Sequence, residues 1–532
     1  MATTRRDPVP FRREVHAARL ASGERFDLLV VGGGATGAGV AVDAASRGYR
    51  VALCEQADFG KGTSSRSTKL VHGGVRYLEQ GDVGLVRDAL RERGLLLRNA
   101  PHLVYRLPIV LPLYRWWEPF YYRAGLAVYD LLAGRLGLGR STRLSRRATI
   151  EALPTIRQPS LRGGVRYYDG GFDDARLLIN LVQTAADHGA VCLNHARVDR
   201  LMKEGDRVVG AEVVDLEKGV DYPVRASVVV NAAGPYSDGV RRLAESGGED
   251  WIQPSQGVHI VLDREFLPGD DAIIVPRTRD GRVVFAIPWH GKTLVGTTDT
   301  ALDATPLEPV PRRHEIDFLL ETISGVLCES VNDSDVRSVF AGLRPLVRKD
   351  GSSSTSKLGR DHSVRVGPEG LVTVLGGKWT TYRKMAEDCV DRCADVAGLP
   401  RSACRTEKLS IRSDGDPEGP LSHYGCDATA VRGLIAGTPE YAEPIDVGLP
   451  YTVGEAVWAI RGEMARTVED VLSRRLRALL LDADAACRAA PRVAELLAAE
   501  LGRDDTWARD QSASFSRLAE GYKVTGCERS SA

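Results

Sequence analysis

The run from Phe26 to Glu55, FDLLVVGGGATGAGVAVDAASRGYRVALCE, constrains this chain more than any other feature. Apolar Leu28 to Val31 predict a short buried strand, and Gly32, Gly34 and Gly37 supply a G-x-G-x-x-G turn. A helix follows through Ala45, Gly48 ends it, and a second strand, Val51 to Cys54, delivers Glu55. The first glycine makes the tight turn, the second lets backbone approach a pyrophosphate, and the third lets helix pack close to strand. Gly33 and Thr36 complete the turn, where the helix N-terminus offers N–H groups and a positive dipole end to phosphates. Glu55 is placed to accept hydrogen bonds from a ribose. A glycine turn alone would also suit an ordinary helix cap. The full strand–turn–helix–strand–acid order specifies a dinucleotide-binding unit.

Length then demands more than one core: 532 residues predict two or three domains. Lys plus Arg equals Asp plus Glu at 71 each, so no global field draws the chain to nucleic acid. Nine cysteines without a C-x-x-C pair argue against a zinc site or disulfide framework, and predict reduced thiols in a cytoplasmic protein. No metal site is expected. The charged N-terminus, MATTRRDPVPFRREVHAARL, lacks the apolar core of a secretory signal, and no apolar run is long enough to span a bilayer.

Residues 1–25 read as a polar, partly helical extension. An oxidoreductase unit is expected over 26–395, with cofactor-binding pieces near 26–100, 170–250 and 335–395 and substrate-domain pieces near 101–169 and 251–334. At Ser227–Gly234, SVVVNAAG, an apolar strand runs into small residues that suit either close cofactor approach or tight packing. Runs at Val258–Leu262, Val283–Ile287 and Thr293–Val295 predict an inserted antiparallel sheet. GSSSTS at 351–356 reads as a surface loop. Residues 396–532 are expected to be helical, with one long amphipathic helix over Gly454–Asp484 and another over Val493–Leu501.

At Thr63–Leu78 the sequence reads TSSRSTKLVHGGVRYL, followed in order by GTTD at 296–299, AGLRPL at 341–346, LGRD at 358–361 and LGGKWTTYRKMAE at 375–387. With EAVWAIRGEMARTVEDVLSRR near the C-terminus, this set resembles the FAD-dependent glycerol-3-phosphate dehydrogenases, within the wider family that includes D-amino-acid oxidase and glycine oxidase. The resemblance covers roughly residues 26–520. It implies an α/β (α+β) fold: a Rossmann-like FAD-binding domain, an inserted antiparallel-sheet substrate domain and a C-terminal helical cap.

The resemblance also implies roles. Arg76, Tyr77, Arg344, Arg360 and Lys378 would face a phosphorylated substrate, for which fixed cationic donors are the natural partners. His72 and His259 are both candidate bases, and Arg344 is suited to a developing alkoxide. FAD contacts would come from the opening turn, from Thr63, Ser64, Ser65, Ser67 and Lys69, from His72, Gly73 and Gly74, and from Val198. Ala232, Ala233, Gly234, Arg344, Gly377, Lys378, Thr380 and Thr381 complete that set. Tyr236, in NAAGPYSD, stands where many members carry tryptophan.

The implied reaction oxidises glycerol 3-phosphate to dihydroxyacetone phosphate, with a quinone receiving the electrons. The oxidases of the family carry a long insertion where this chain has only RKDGSSSTSKLGRD, which favours the dehydrogenase over peroxide formation. An amine oxidase of the same fold would need about one arginine for a single carboxylate, and an NAD enzyme would not need the later glycine motifs. Between 98 and 147, nine arginines face only Glu118 and Asp130, interleaved with Tyr105, Tyr114, Trp116, Trp117, Phe120, Tyr121 and Tyr122. That mixture suits either a basic partly buried segment or peripheral contact with the anionic inner face of the cell membrane. Expected partners are therefore glycerol 3-phosphate, a quinone, the membrane surface and a second copy in a homodimer, with no nucleic acid.

Overall fold

The computed structural model describes residues 7–75, 81–245, 247–276, 278, 281–348, 362–413 and 419–527. Strands Phe26–Val31 and Val51–Cys54 run parallel, with Leu28 opposite Val51 and Val31 opposite Cys54, and the Ala35–Ser46 helix joins them. That helix is rich in Ala and Gly because it packs at very short range. A Cβ on Gly37 would lie 1.9 Å from the Gly32 carbonyl oxygen, and Gly32 itself has φ +110°. Neither position has room for a side chain.

Val220–Asn231 continues the sheet in parallel on the far side of Phe26–Val31, followed by Val372–Leu375, while Val191–Leu193 flanks Val51–Cys54. The helices Ala35–Ser46, Asp174–Asp187 and Tyr382–Ala397 share one apolar core with this sheet. Parallel strands covered in this way are buried on both faces, which is why they read as continuous apolar runs.

The second sheet is the expected inserted one. Ile252–Asp263, Lys292–Gly296 and Val284–Trp289 form its antiparallel heart, and Ala272–Val275, Val104–Leu113 and Gly163–Phe172 extend it. Val336–Val347, from the stretch expected in a cofactor-binding piece, pairs with residues 252–262 of this sheet.

Residues 1–25 are no loose extension where they are described. The Arg13–Ala21 helix buries Ala17 and Leu20 beside Val191 and Leu193. Buried His16, pushed down to about pKa 3 by desolvation, accepts the Cys192 N–H at 3.1 Å through Nδ1. The helix thus satisfies an edge strand that would otherwise carry unpaired donors.

The expected single helix over Gly454–Asp484 is three pieces: Val453–Gly462, a π-helical turn Asp470–Arg475, and Ala478–Leu481. Met464 and Arg477 take left-handed φ of +57° and +56° at the breaks. The apolar spacing is real, but Glu463, Asp470, Arg474, Arg475 and Arg477 lie among it and are all buried. A continuous helix could not pair them all. The breaks let Glu463 hold Arg176 bidentately at 2.7 and 2.6 Å, Arg475 hold Asp58 at 2.6 and 2.9 Å, and Arg477 meet Asp173 at 2.9 Å. Burying charge is affordable only with such partners, and here it joins the helical part to the first sheet. Ala483–Leu501, longer than the expected Val493–Leu501, and Asp505–Glu520 complete that part. No helix among the described residues is long and apolar enough to cross a membrane.

Candidate active site

Two adjoining cavities open at the carboxyl ends of the first sheet's strands, where open α/β sheets bind ligands. The smaller, of about 380 Å³, is lined by Gly32, Gly34 and Thr36 of the turn and by Glu55, Thr63, Ser64, Val198 and Ala232 to Gly234. Glu55 Oε2 accepts the Gly33 N–H at 2.6 Å and Oε1 accepts the Ala57 N–H at 2.9 Å. Burial pushes the carboxyl up despite these two donors, and a ribose hydroxyl donating to it would offset that cost. Gly34 caps the helix without a side chain, and Ser64 Oγ accepts the Ala35 N–H at 2.9 Å.

The larger cavity, of about 650 Å³, shares Thr63, Pro345 and Gly376 to Trp379 with the first. Gly376 and Gly377 turn the chain there with φ of +67° and +84°. Trp379 Nε1 then donates to the Ser64 carbonyl at 2.9 Å, and Thr380 Oγ1 accepts the His72 N–H at 3.2 Å. One loop therefore closes on both the phosphate-side turn and the His72 turn. A narrow chamber at a glycine-rich helix start, continuing into a wide one, is the shape an extended dinucleotide with a large ring system requires.

Strand register builds one wall of the larger cavity. His259 lies opposite Phe340, Gly257 opposite Gly342, and Ser255 opposite Arg344, all on one face by the two-residue repeat. The His259 ring stacks on Phe340 at 4.9 Å and 14°, and its Nε2 is 2.9 Å from Thr68 Oγ1. The glycines between them hold the floor open: a Cβ on Gly257 would lie 2.4 Å from Arg344 Nη2, and one on Gly296 would lie 2.0 Å from the His259 ring. Arg344 Nη2 donates to Thr297 Oγ1 at 3.1 Å and to the Thr298 carbonyl at 3.0 Å. Its side chain keeps 29% exposure toward the cavity. Burial, Arg344 and Lys69 together hold the His259 pKa well below its ordinary value, so the ring is neutral at pH 7.

Comparison with known proteins decides the family. Residues 27–383 match the FAD dependent oxidoreductase family, and 374–508 match the C-terminal domain of alpha-glycerophosphate oxidase. The chain is 41% identical to a probable mitochondrial glycerol-3-phosphate dehydrogenase of Caenorhabditis elegans, over 93% of this chain and 73% of that one. It is 39% identical to the mitochondrial glycerol-3-phosphate dehydrogenase of Homo sapiens, over 97% and 76%. The chain belongs to the FAD-dependent glycerol-3-phosphate dehydrogenases. A glycerol-3-phosphate dehydrogenase from Bacillus halodurans, solved with FAD, superposes with a TM-score of 0.78 at 28% identity, covering 96% of this chain and 97% of that one.

Within this family the cofactor is FAD, and the two joined cavities fit it: the turn with Gly32, Gly34 and Thr36 would hold the pyrophosphate, Glu55 the ribose, and Gly377 to Thr380 would stand beside the ring. Of the residues expected at cofactor or substrate, Ser67, His72, Gly74, His259, Arg344, Lys378 and Thr380 border the larger chamber. Gly33 and Gly37 shape the turn without lining either cavity. Lys69 lines neither cavity. Its ammonium is fully buried and held by Asp174 at 2.7 and 2.8 Å and by the Ser65 carbonyl at 2.7 Å, so it braces the loop. Ser65 likewise spends its hydroxyl on the Gly60 carbonyl, and Gly73 and Thr381 sit behind the walls. Arg76, Tyr77, Arg360 and the GSSSTS loop lie outside the described residues. Tyr236 lines the ribose-side cavity, its hydroxyl donating to the Pro306 carbonyl at 3.1 Å.

Sequence reasoning missed Thr68, Arg66, Arg282 and Asp299, which border the larger chamber too. Thr68 and Arg66 stood inside a quoted motif, but nothing in their spacing separates a wall from a brace. Arg282 sits in a stretch without periodicity. Only the fold brings it to the chamber.

Proposed function

We propose that this protein oxidises sn-glycerol 3-phosphate to dihydroxyacetone phosphate and delivers the electrons to a membrane quinone. The carrying observation is the wall on which neutral His259 stands beside Arg344, with Lys378 and Arg66 on the same chamber. When bound, FAD supplies the two-electron acceptor for the hydride leaving the substrate's secondary carbon. Arg344 and Lys378 suit the phosphate and the developing alkoxide, since planar guanidinium and point-charge ammonium are the usual partners of such oxygens. His259, steadied by Phe340 and by Thr68 Oγ1, is assigned the hydroxyl proton. Steady-state turnover with a soluble quinone analogue should yield dihydroxyacetone phosphate one-for-one with quinol. Peroxide formed as fast under air would favour an oxidase instead.

A pH dependence follows from His259. A base must be unprotonated, and a folded pKa below 6.5 keeps it so through neutrality, with protonation entering only as pH falls further. The acid limb of kcat/KM should therefore fall below pH 6.5, and a limb centred well above that would remove His259 from the role.

Quinone access rests on the Glu118–Ala133 helix, of which only Leu126 and Tyr129 are buried. Its outer side and approach expose Trp116 at 71%, Phe120 at 74% and Leu131 at 79%, with Arg115, Arg123 and Arg135 exposed around them. Its inner side, through Tyr121, Tyr122 and Leu126, borders the reactive chamber. Interfacial aromatics ringed by arginine fit an anionic bilayer, and the helix then lies between lipid and reaction centre. Burial of one large apolar side chain contributes about 1.5–3 kcal/mol, so the double substitution Phe120→Glu, Leu131→Glu should cut binding to phosphatidylserine-containing vesicles more than tenfold. Flotation measures this, and the rate of flavin reduction should be unchanged. Undiminished vesicle binding would exclude this face.

A further inference from the structure

We infer that Tyr129 is a positioning residue for the reaction, locking the His72–Gly74 turn against the chamber through Asp169; this rests on the reading of the chamber given above. Tyr129 is the inward side chain of the exposed Glu118–Ala133 helix and is 1% exposed. Its hydroxyl accepts the Gly73 N–H at 2.9 Å and lies 2.8 and 3.0 Å from the two oxygens of Asp169, to which it donates. Asp169 Oδ1 is also 3.3 Å from the Gly73 nitrogen and takes Arg93 Nη1 at 2.6 Å. Arg93 reaches the neighbouring Tyr168 carbonyl at 3.1 Å as well, so the carboxylate cannot drift.

The turn is fitted to this support. A Cβ on Gly73 would lie 2.6 Å from the Tyr129 hydroxyl and 2.5 Å from Leu90 Cδ2. On the other side Thr380 Oγ1 accepts the His72 N–H at 3.2 Å. Two consecutive backbone amides are thus fixed, one by the loop beside the flavin ring and one by a helix whose other face is apolar and open. A residue needed only for packing would require the ring of Tyr129, which meets Tyr167 edge-on at 6.3 Å, but not its hydroxyl. The hydroxyl is spent on the turn that carries His72 into the chamber. The substrate-facing cations stand on other segments, the strand of Arg344 and the loop of Lys378. Loss of the hydroxyl should therefore disturb the reacting geometry more than substrate capture.

The test is Tyr129→Phe in the full FAD-loaded chain. Flavin content and Tm should match the wild type. The saturating rate of anaerobic flavin reduction by glycerol 3-phosphate should fall about tenfold, the rate equivalent of one buried hydrogen bond, with the half-saturating concentration within about twofold. Amide exchange at Gly73 should quicken by about tenfold or more as its shorter bond is lost and only the 3.3 Å contact with Asp169 Oδ1 remains. A reduction rate within twofold of wild type overturns the inference, as does a slowing fully matched by lost flavin or lowered Tm. If the wild type itself is not reduced by glycerol 3-phosphate, the substrate reading has failed. Exchange at Gly73 then decides the inference alone, and protection unchanged by the substitution overturns it.

Discussion

Gly37→Val should yield protein without yellow colour, its flavin content below about one-tenth of the wild type. A Cβ at this position would lie 1.9 Å from the Gly32 carbonyl oxygen, a backbone atom that cannot swing away. The Ala35–Ser46 helix must therefore move off the strand, and with it the N–H groups proposed to hold the pyrophosphate. Overpacking of this kind costs about 1–3 kcal/mol even where side chains can give, and here none can. Gly34 is a useful contrast. A Cβ there meets only Ser64 Oγ at 3.1 Å, the end of a side chain, so Gly34→Ala should retain part of its flavin. The ratio of visible flavin absorption to protein absorption measures both, and a thermal melt shows whether the variant is still folded. A folded Gly37→Val protein with full flavin would refute the placement of the turn.

Arg344→Ala should leave the protein yellow and lower kcat/KM by about 10²–10³, the loss typical when one donor to developing charge is removed. Arg344 is held by Thr297 Oγ1 and the Thr298 carbonyl, with Asp299 Oδ1 at 3.5 Å, so its plane is fixed before substrate arrives. That preorganisation is what an ammonium on a flexible stem cannot copy. Arg344→Lys should recover only part of the rate. The residues proposed to hold the flavin's pyrophosphate and ribose, around Gly32 and Glu55, line the other cavity and should be untouched. Near-normal turnover of the alanine variant would take Arg344 out of the reaction.

Local pattern made the first βαβ unit legible to within two residues: the apolar runs and the glycine spacing place both strands and the helix, the first strand starting at Phe26 and the helix ending at Ser46. His259 and Arg344 were legible only as members of resemblance motifs. Their mutual placement depends on the register of two strands about eighty residues apart, which no local pattern encodes. The partner of Lys69 was hidden for a related reason. Asp174 stands 105 residues further along the chain, and only the fold brings it to the ammonium. The broken helix after Gly462 misled because apolar spacing was counted while the buried charges within it were not. Glu463 with Arg176, Asp470 with His195 and Arg475 with Asp58 are pairs to distant parts of the chain, and those tertiary pairs overrule helix continuity. The exposed face of Glu118–Ala133 was visible as arginine among aromatics, but which side of the helix is buried became plain only through Leu126 and Tyr129.

The measurement that bears most directly on the account is anaerobic addition of sn-glycerol 3-phosphate to the flavin-loaded protein while the visible flavin absorption is followed. The account predicts prompt bleaching, stoichiometric formation of dihydroxyacetone phosphate, and rapid recovery of colour on adding a quinone analogue. An unbleached flavin at saturating glycerol 3-phosphate would contradict the assignment of the His259–Arg344 chamber to this substrate.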